Sequence, residues 1–401
     1  MRHIAVARPV LTKETHRATS IEIFFDLVFA FALTQVIEFM GRPPTPLTLV
    51  RGLVLLLVLW MSWAPYVWLS DQARADVGLV AAGILVAMAA FFVAALLIPN
   101  AWRHGKHMAA PLILALAWVV LRGTHMGLYY WAAAGEGRLR TTLGLFSTTT
   151  VIAWVPLILG ALLGGAAQTL LWAAAFLLDF SGGTIAARLS GWDIRSPSHF
   201  TERHGLILII ALGESLVSIG AGAGTAVTRG PILLAALLGL TVTVCLFWFY
   251  FSNTAAAAGT ALGSMPRQRR GNVAGDAYST AHFPLIAGIV YSALGIEQVV
   301  SRLASNHPPS TRPLDWASTV ALYGGPALYL LGRVMFLRLA VGSAPLARYI
   351  AAGTAFVLLP LARILPALAA LGLLAAFLVA LVGYERLSRH PTTAAHSSGD
   401  K

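Results

Sequence analysis

The sequence predicts an all-α membrane protein, a polytopic bundle of about twelve transmembrane helices. Three observations carry that reading. Of 401 residues, 58% are hydrophobic and only 11% charged, with a mean hydropathy of +0.76, where soluble domains carry about 25% charged residues. Apolar runs of roughly 20 residues, the length of a bilayer core, recur from end to end and leave no stretch for a separate soluble domain. The segments between them are rich in Pro, Gly, Ser and Asp, the punctuation of loops.

In chain order, the polar, basic residues 1–20 precede a first helix at 21–40, which closes at "GRPPTP" 41–46. That helix carries Glu22 and Asp26, so it does not read as the uncharged core of a cleaved signal peptide. Helix 48–69 ends at "SDQARAD" 70–76, and helices 77–99 and 108–131 follow as long apolar runs. Helices 143–163 and 168–189 form a pair with almost no linker, ahead of "GWDIRSPSHF" 191–200. Helix 203–222 runs into "GAGAG" 220–224, ordinary C-terminal glycine punctuation. Helix 232–253 is followed by the longest inner connection, 254–280, small-residue and basic ("GSMPRQRRGN"), read as a partly disordered loop. Helix 281–300 ends at "SNHPPSTRP" 305–313, helix 316–337 at "GSAP" 342–345, and helices 346–363 and 366–387 form a second tight pair. The tail 389–401, "RHPTTAAHSSGDK", reads as disordered.

A net charge of +12 raises the question of nucleic acid, but the basic residues are scattered between apolar runs without a long basic block. Topology accounts for them. With the N-terminus inside, about 19 Lys and Arg fall on the inner side and about 8 on the outer, so both termini are expected in the cytoplasm. The chain is one membrane domain, 21–388, divisible into six-helix halves 21–189 and 203–388. Sliding one half over the other sets Glu22 on Glu202, although the flanking residues hardly match. The one cysteine, Cys245, excludes an intrachain disulfide and any cysteine-based metal cluster. No metal site or cofactor is expected, and no H-E-x-x-H, G-x-S-x-G or phosphate loop is present. "GALLG" 160–164 suits close helix packing.

Charges inside the apolar runs need an account, because a carboxylate at mid-membrane costs from about 2.5 kcal/mol upward unless paired, protonated or hydrated. Glu22 and Asp26, four apart, share a helical face about 6 Å apart along the axis. Glu202 and Arg203 open the seventh helix and read as a surface ion pair, whereas Glu214 lies near its midpoint, between Gly213 and Ser215. In the fourth helix Arg122, His125 and Tyr129 form one polar stripe at i, i+3 and i+7. Arg122 reads as the one deep cation, a partner for Asp179, Asp26 or Glu214. The ninth helix places His282 near the inner face and Glu297 near the outer one, 15 residues on, too far apart to share a site. Five embedded acids, Glu22, Asp26, Asp179, Glu214 and Glu297, face one embedded base. The surplus must be protonated, hydrated or occupied by a cation.

Three stretches, "EIFFDLVFAFALTQV", "ERHGLILIIALGES" and "HFPLIAGIVYSALGIE", resemble in order and spacing the bacterial low temperature requirement A family, across roughly 15–390. The resemblance implies a multi-pass membrane protein and a phenotype of cold growth, with no established biochemical activity. It carries over Glu22, Phe25, Asp26, Thr34 and Gln35; Glu202, Arg203, Gly205, Gly213, Glu214 and Ser215; and His282, Gly288 and Glu297. His204 departs from the pattern, which more often has an aromatic such as Phe. "FFDLVFAFALT" is also similar to the first-helix signature of a six-helix potassium-channel family, with Phe25 where that signature has Ser.

The sequence is therefore read as a transporter or channel-like permease for a proton, small cation or small solute. Asp26, Glu214 and Asp179 are expected to line the path with Arg122 tuning them, and Glu22 and Glu202 to act at the cytoplasmic mouth. A membrane-embedded enzyme acting on lipid, with His125, His282 and Tyr129 as acid–base candidates, is the alternative of another class. A sensor or scaffold, in which the charges only set helix packing, is a third. No catalytic residue is assigned; membrane lipid is the expected surround, nucleic acid is not a partner, and a homo-oligomer is open.

Overall fold

The computed structural model describes residues 9–103, 110–189, 191–305 and 312–388. Among them the fold is helical throughout, with two isolated backbone bridges in place of any strand. The helices are α1 (Ser20–Gly41), α2 (Pro46–Gln72), α3 (Gly78–Leu97), α4 (Ala110–Ala132), α5 (Gly137–Leu163), α6 (Gly165–Leu189), α7 (Pro197–Ala223), α8 (Gly230–Phe249), α9 (Ala255–Ser264), α10 (Arg267–Val273), α11 (His282–Ala304), α12 (Trp316–Val341), α13 (Leu346–Val357), α14 (Leu359–Ile364) and α15 (Ala367–Leu387). The pairs α8–α9, α10–α11 and α13–α14 each act as one span, so twelve segments among the described residues are long and apolar enough to cross a membrane. Leucine-rich faces of α3, α5 and α6 remain exposed, through Leu85, Leu96, Leu162, Leu170 and Leu177. A bilayer covers such faces in the way a core covers them in a soluble protein.

The connection expected as a partly disordered loop at 254–280 is helical instead. Ala255–Ala258 has the highest helix propensity available, and α8 passes into α9 through a π-helical turn, Tyr250–Thr254. A second π-helical turn, Ala274–Thr280, joins α10 to α11. Gly271 lies so close to the Trp192 backbone that a methyl group there would collide with it, which pins α10 beneath the loop before α7. The expected disordered tail from 389 lies outside the described residues.

Two further contacts set the bundle. α5 reverses into α6 without a linker because Gly164 and Gly165 adopt φ of 71° and 59°, a region closed to most side chains. α11 and α12 approach through Gly288 and Gly295 on one helix and Gly325 and Gly332 on the other, each pair seven residues apart and facing partner backbone. These are the most enclosed helices of the fold, and one continuous apolar core runs from Phe25 to Leu378. Before α1, Arg74 donates its N–H to the Val10 carbonyl at 2.9 Å and the Thr12 hydroxyl donates to the Ser70 carbonyl at 2.8 Å. The segment entering α1 is thereby tied to the end of α2.

Candidate functional site

The face of the bundle where α1 begins, here called the N-side, holds the main polar cluster. Glu22 is the third residue of α1, and one carboxylate oxygen accepts from the Thr19 N–H at 2.8 Å and the Thr19 hydroxyl at 2.7 Å. Its other oxygen meets Arg203 Nη1 at 2.7 Å and His199 Nε2 at 2.8 Å. One turn on, Asp26 Oδ1 accepts from Arg203 Nη2 at 2.5 Å and from the Trp63 indole at 2.7 Å, while Oδ2 has no partner among the described residues. Glu22, Asp26, Trp63, His199 and Arg203 are each at most 2% exposed.

The local sequence explains the meeting. Glu22 and Asp26 are i, i+4 on α1; His199 and Arg203 are i, i+4 on α7, so each helix presents one polar face. α7 starts where it does because buried Asp71, at the end of α2, accepts the N–H groups of Arg195 and Ser196 at 2.7 and 2.9 Å. Arg203 is therefore no surface residue: the expected pair with Glu202 does not form, and Glu202 accepts from the Ala18 N–H at 3.1 Å. Nor is Arg122 the one deep cation, since Arg203 and Arg333 are each 1% exposed. Arg333 is neutralised by both Glu385 oxygens at 2.6 and 2.8 Å.

The α1–α7 seam has a second polar level. Thr34 donates its hydroxyl to Glu214, with backbone offsets nearly matching those of the first level, as for two parallel helices in register. Eight residues separate Asp26 from Thr34, about 12 Å along the axis. The intervening turns bury Phe29, Ala30 and Leu33 on α1, and Ile207, Leu208 and Ala211 on α7.

Asp179 stands apart from both. It pairs with Arg122 Nη2 at 2.8 Å, and Thr150 donates to the same oxygen at 2.5 Å. This pair borders a small cavity of about 40 Å³ that neither Asp26 nor Glu214 lines. The acids expected to converge on one path are thus divided among three places. Glu297 sits half-buried at the opposite end beside Gly41, with Glu38 and Arg42 as charged neighbours. His282 is fully buried, bonded through Nε2 to the Tyr250 hydroxyl at 2.8 Å and packed on Phe336. His125 and Tyr129 line a different and larger cavity. His204 fills an aromatic box made by Trp63, Phe200, Tyr278 and His282.

Several contributors escaped sequence reading: His199, Trp63, His16, Asp71 and Thr150. The matched i, i+4 pairs of opposite sign on α1 and α7 were the available signal. His16 packs against His199, with ring centroids 5.4 Å apart, and burial with the nearby His199 lowers its pKa below the ordinary 6.5. His16, Glu22 and His199 hold ligand-type atoms within 4.8 Å of one another. A divalent ion there would face the Arg203 guanidinium already on Glu22.

A helical bundle of twelve membrane-length segments around a buried, charge-unbalanced cluster defines a polytopic integral membrane protein. The chain belongs to the family described as Bacterial low temperature requirement A protein, which it matches over residues 17–383. It is similar to an uncharacterized protein of Rhizobium meliloti (strain 1021), 25% identical over 333 residues, 80% of this chain and 77% of that one. No solved structure matches it. The family motifs gain a meaning from the fold: Glu22 and Asp26 of the first meet Arg203 of the second, and Thr34 meets Glu214.

Proposed function

We propose that the protein is a proton- or cation-linked permease whose responsive element is the Glu22–Asp26–Arg203–His199 cluster. One observation carries this: two buried carboxylates share one guanidinium, so the cluster holds a surplus negative charge in a site without water access. Burying an uncompensated charge costs several kcal/mol (order of magnitude), so the resting cluster takes up one positive equivalent. His199, bonded to Glu22, and the open Oδ2 of Asp26 are the two places for it. Glu214 with Thr34 is the next polar level on the same seam, and the apolar turns between act as its closed gate.

The embedded-enzyme reading draws some support from His125 and Tyr129 lining a cavity. Acid–base catalysis also calls for a partner that orients the base, and neither side chain has one among the described residues. A purely structural scaffold would leave the charges balanced, as Arg122 and Asp179 are. The test is proton, sodium and potassium flux into proteoliposomes holding wild type, Asp26→Asn, Glu214→Gln and Asp179→Asn, each checked for folding. Flux in the wild type that Asp26→Asn abolishes and Asp179→Asn retains supports the reading; a folded wild type with no flux under any of the three gradients overturns it.

A further inference from the structure

A cavity of about 290 Å³ lies on the N-side between α2, α4, α5 and α6 and the turn before α11. It is separate from the Arg203 cluster, none of whose members line it. Its walls are aromatic: Trp68, Tyr129, Phe146, Phe180 and Trp192. Trp192 stacks on Tyr129 with ring centroids 6.0 Å apart. Deep in it lie two polar side chains, His125 and Tyr129, each 1% exposed. Neither the His125 ring nitrogens nor the Tyr129 hydroxyl has a hydrogen-bond partner among the described residues; the Pro65 carbonyl faces His125 but falls outside bonding geometry. Buried polar groups are seldom left so.

Both helix irregularities next to the cavity feed it. Pro65 has no N–H to offer the Met61 carbonyl, and Met61 and Pro65 both line the space. The π-helical turn Ala274–Thr280 contributes Gly275, Asp276, Ser279 and Thr280 to the other wall, and such turns recur at functional sites. The charged lining residues, Arg188 and Asp276, are exposed and opposite in sign, so they stand at the mouth and leave the interior neutral.

We infer that this cavity is a binding site for an uncharged one- or two-ring phenol-type molecule, gripped by the aromatic walls and hydrogen-bonded to His125 and Tyr129. The volume equals roughly ten waters at ~30 Å³ each, room for two fused rings. A neutral imidazole offers one donor and one acceptor, and a tyrosine hydroxyl offers both. A phenolic hydroxyl, which also gives and receives, satisfies the pair; a carbonyl receives only, and an anion finds no cation inside.

Full-length protein in lipid nanodiscs, titrated with 2-naphthol and with naphthalene against empty nanodiscs, tests this by calorimetry. Saturable one-to-one binding of 2-naphthol is expected, with naphthalene weaker by about tenfold or more, the worth of one desolvated hydrogen bond. His125→Phe and Tyr129→Phe, which keep ring and volume, should bring 2-naphthol down to the naphthalene level. Thr184→Trp, which fills the space from α6, should abolish both. Asp26→Asn should bind as wild type does, so this test can fail or succeed apart from the permease reading. Equal binding of the two probes, indifference to the His125 and Tyr129 exchanges, or no saturable binding by folded wild type overturns the proposal.

Discussion

Arg122 and Arg203 are both buried guanidiniums held by carboxylates of other helices, yet Arg122 meets one aspartate and Arg203 meets a glutamate and an aspartate together. The Arg122 site closes in charge, one positive and one negative with a Thr150 hydroxyl donated to the shared oxygen, while the Arg122 Nε and Nη1 have no hydrogen-bond partner among the described residues. The Arg203 site does not close, and it adds two imidazoles in sequence toward the N-side, His199 and then His16. A balanced pair can be exchanged for apolar packing with little loss, because desolvation offsets most of its attraction. An unbalanced one cannot, and the imbalance is what lets a proton matter.

The largest effect should come from Arg203→Met, which strands two carboxylates. Its cost should exceed the roughly 3–5 kcal/mol typical of one broken buried pair, read as failure to recover folded, monodisperse protein in detergent. Arg122→Met strands one, and a loss near that same roughly 3–5 kcal/mol is expected in thermal unfolding. Adding Asp179→Leu should restore most of the Tm, whereas adding Asp26→Leu to Arg203→Met should not, since Glu22 remains. Recovery in both double variants would erase the distinction drawn between the sites.

Smaller changes sharpen it. Trp63→Phe removes one donor to Asp26 and Thr150→Val one donor to Asp179, each worth about 1.5–3 kcal/mol for a bond to a charged group. Both should lower Tm, and only the first should alter the pH profile of flux. The smallest effect concerns His16, which lies outside the membrane segments. Its pKa is lower in the folded than in the unfolded protein, so the unfolded chain binds the extra proton. Stability should therefore fall as pH drops below about 6.5, the ordinary histidine value, and His16→Gln should flatten that part of the unfolding curve.

Much of the fold was legible because a bilayer imposes length and hydropathy directly on sequence. The helix at 21–40 is found at Ser20–Gly41, and the tight pair at 143–163 and 168–189 appears as α5 and α6, their reversal carried by Gly164 and Gly165. The miss at 254–280 came from weighing basic, small-residue composition above the helix propensity of its alanines. The site was legible in its acids and illegible in their partners. Arg203 looked like a surface residue because it opens a helix; only the docking of α7 against α1 and Trp63 buries it.

By itself the sequence determined the class, the number of spans and the presence of more buried acid than base, since composition and periodicity answer to the bilayer alone. The tertiary structure decided which acid meets which base, that Asp179 is settled by Arg122, and that Asp26 and Glu22 compete for Arg203. It also decided that His125 and Tyr129 face a cavity together. Charge balance in a membrane interior is a property of neighbours from distant helices, set by distances of a few ångströms that helical periodicity along one chain segment does not encode.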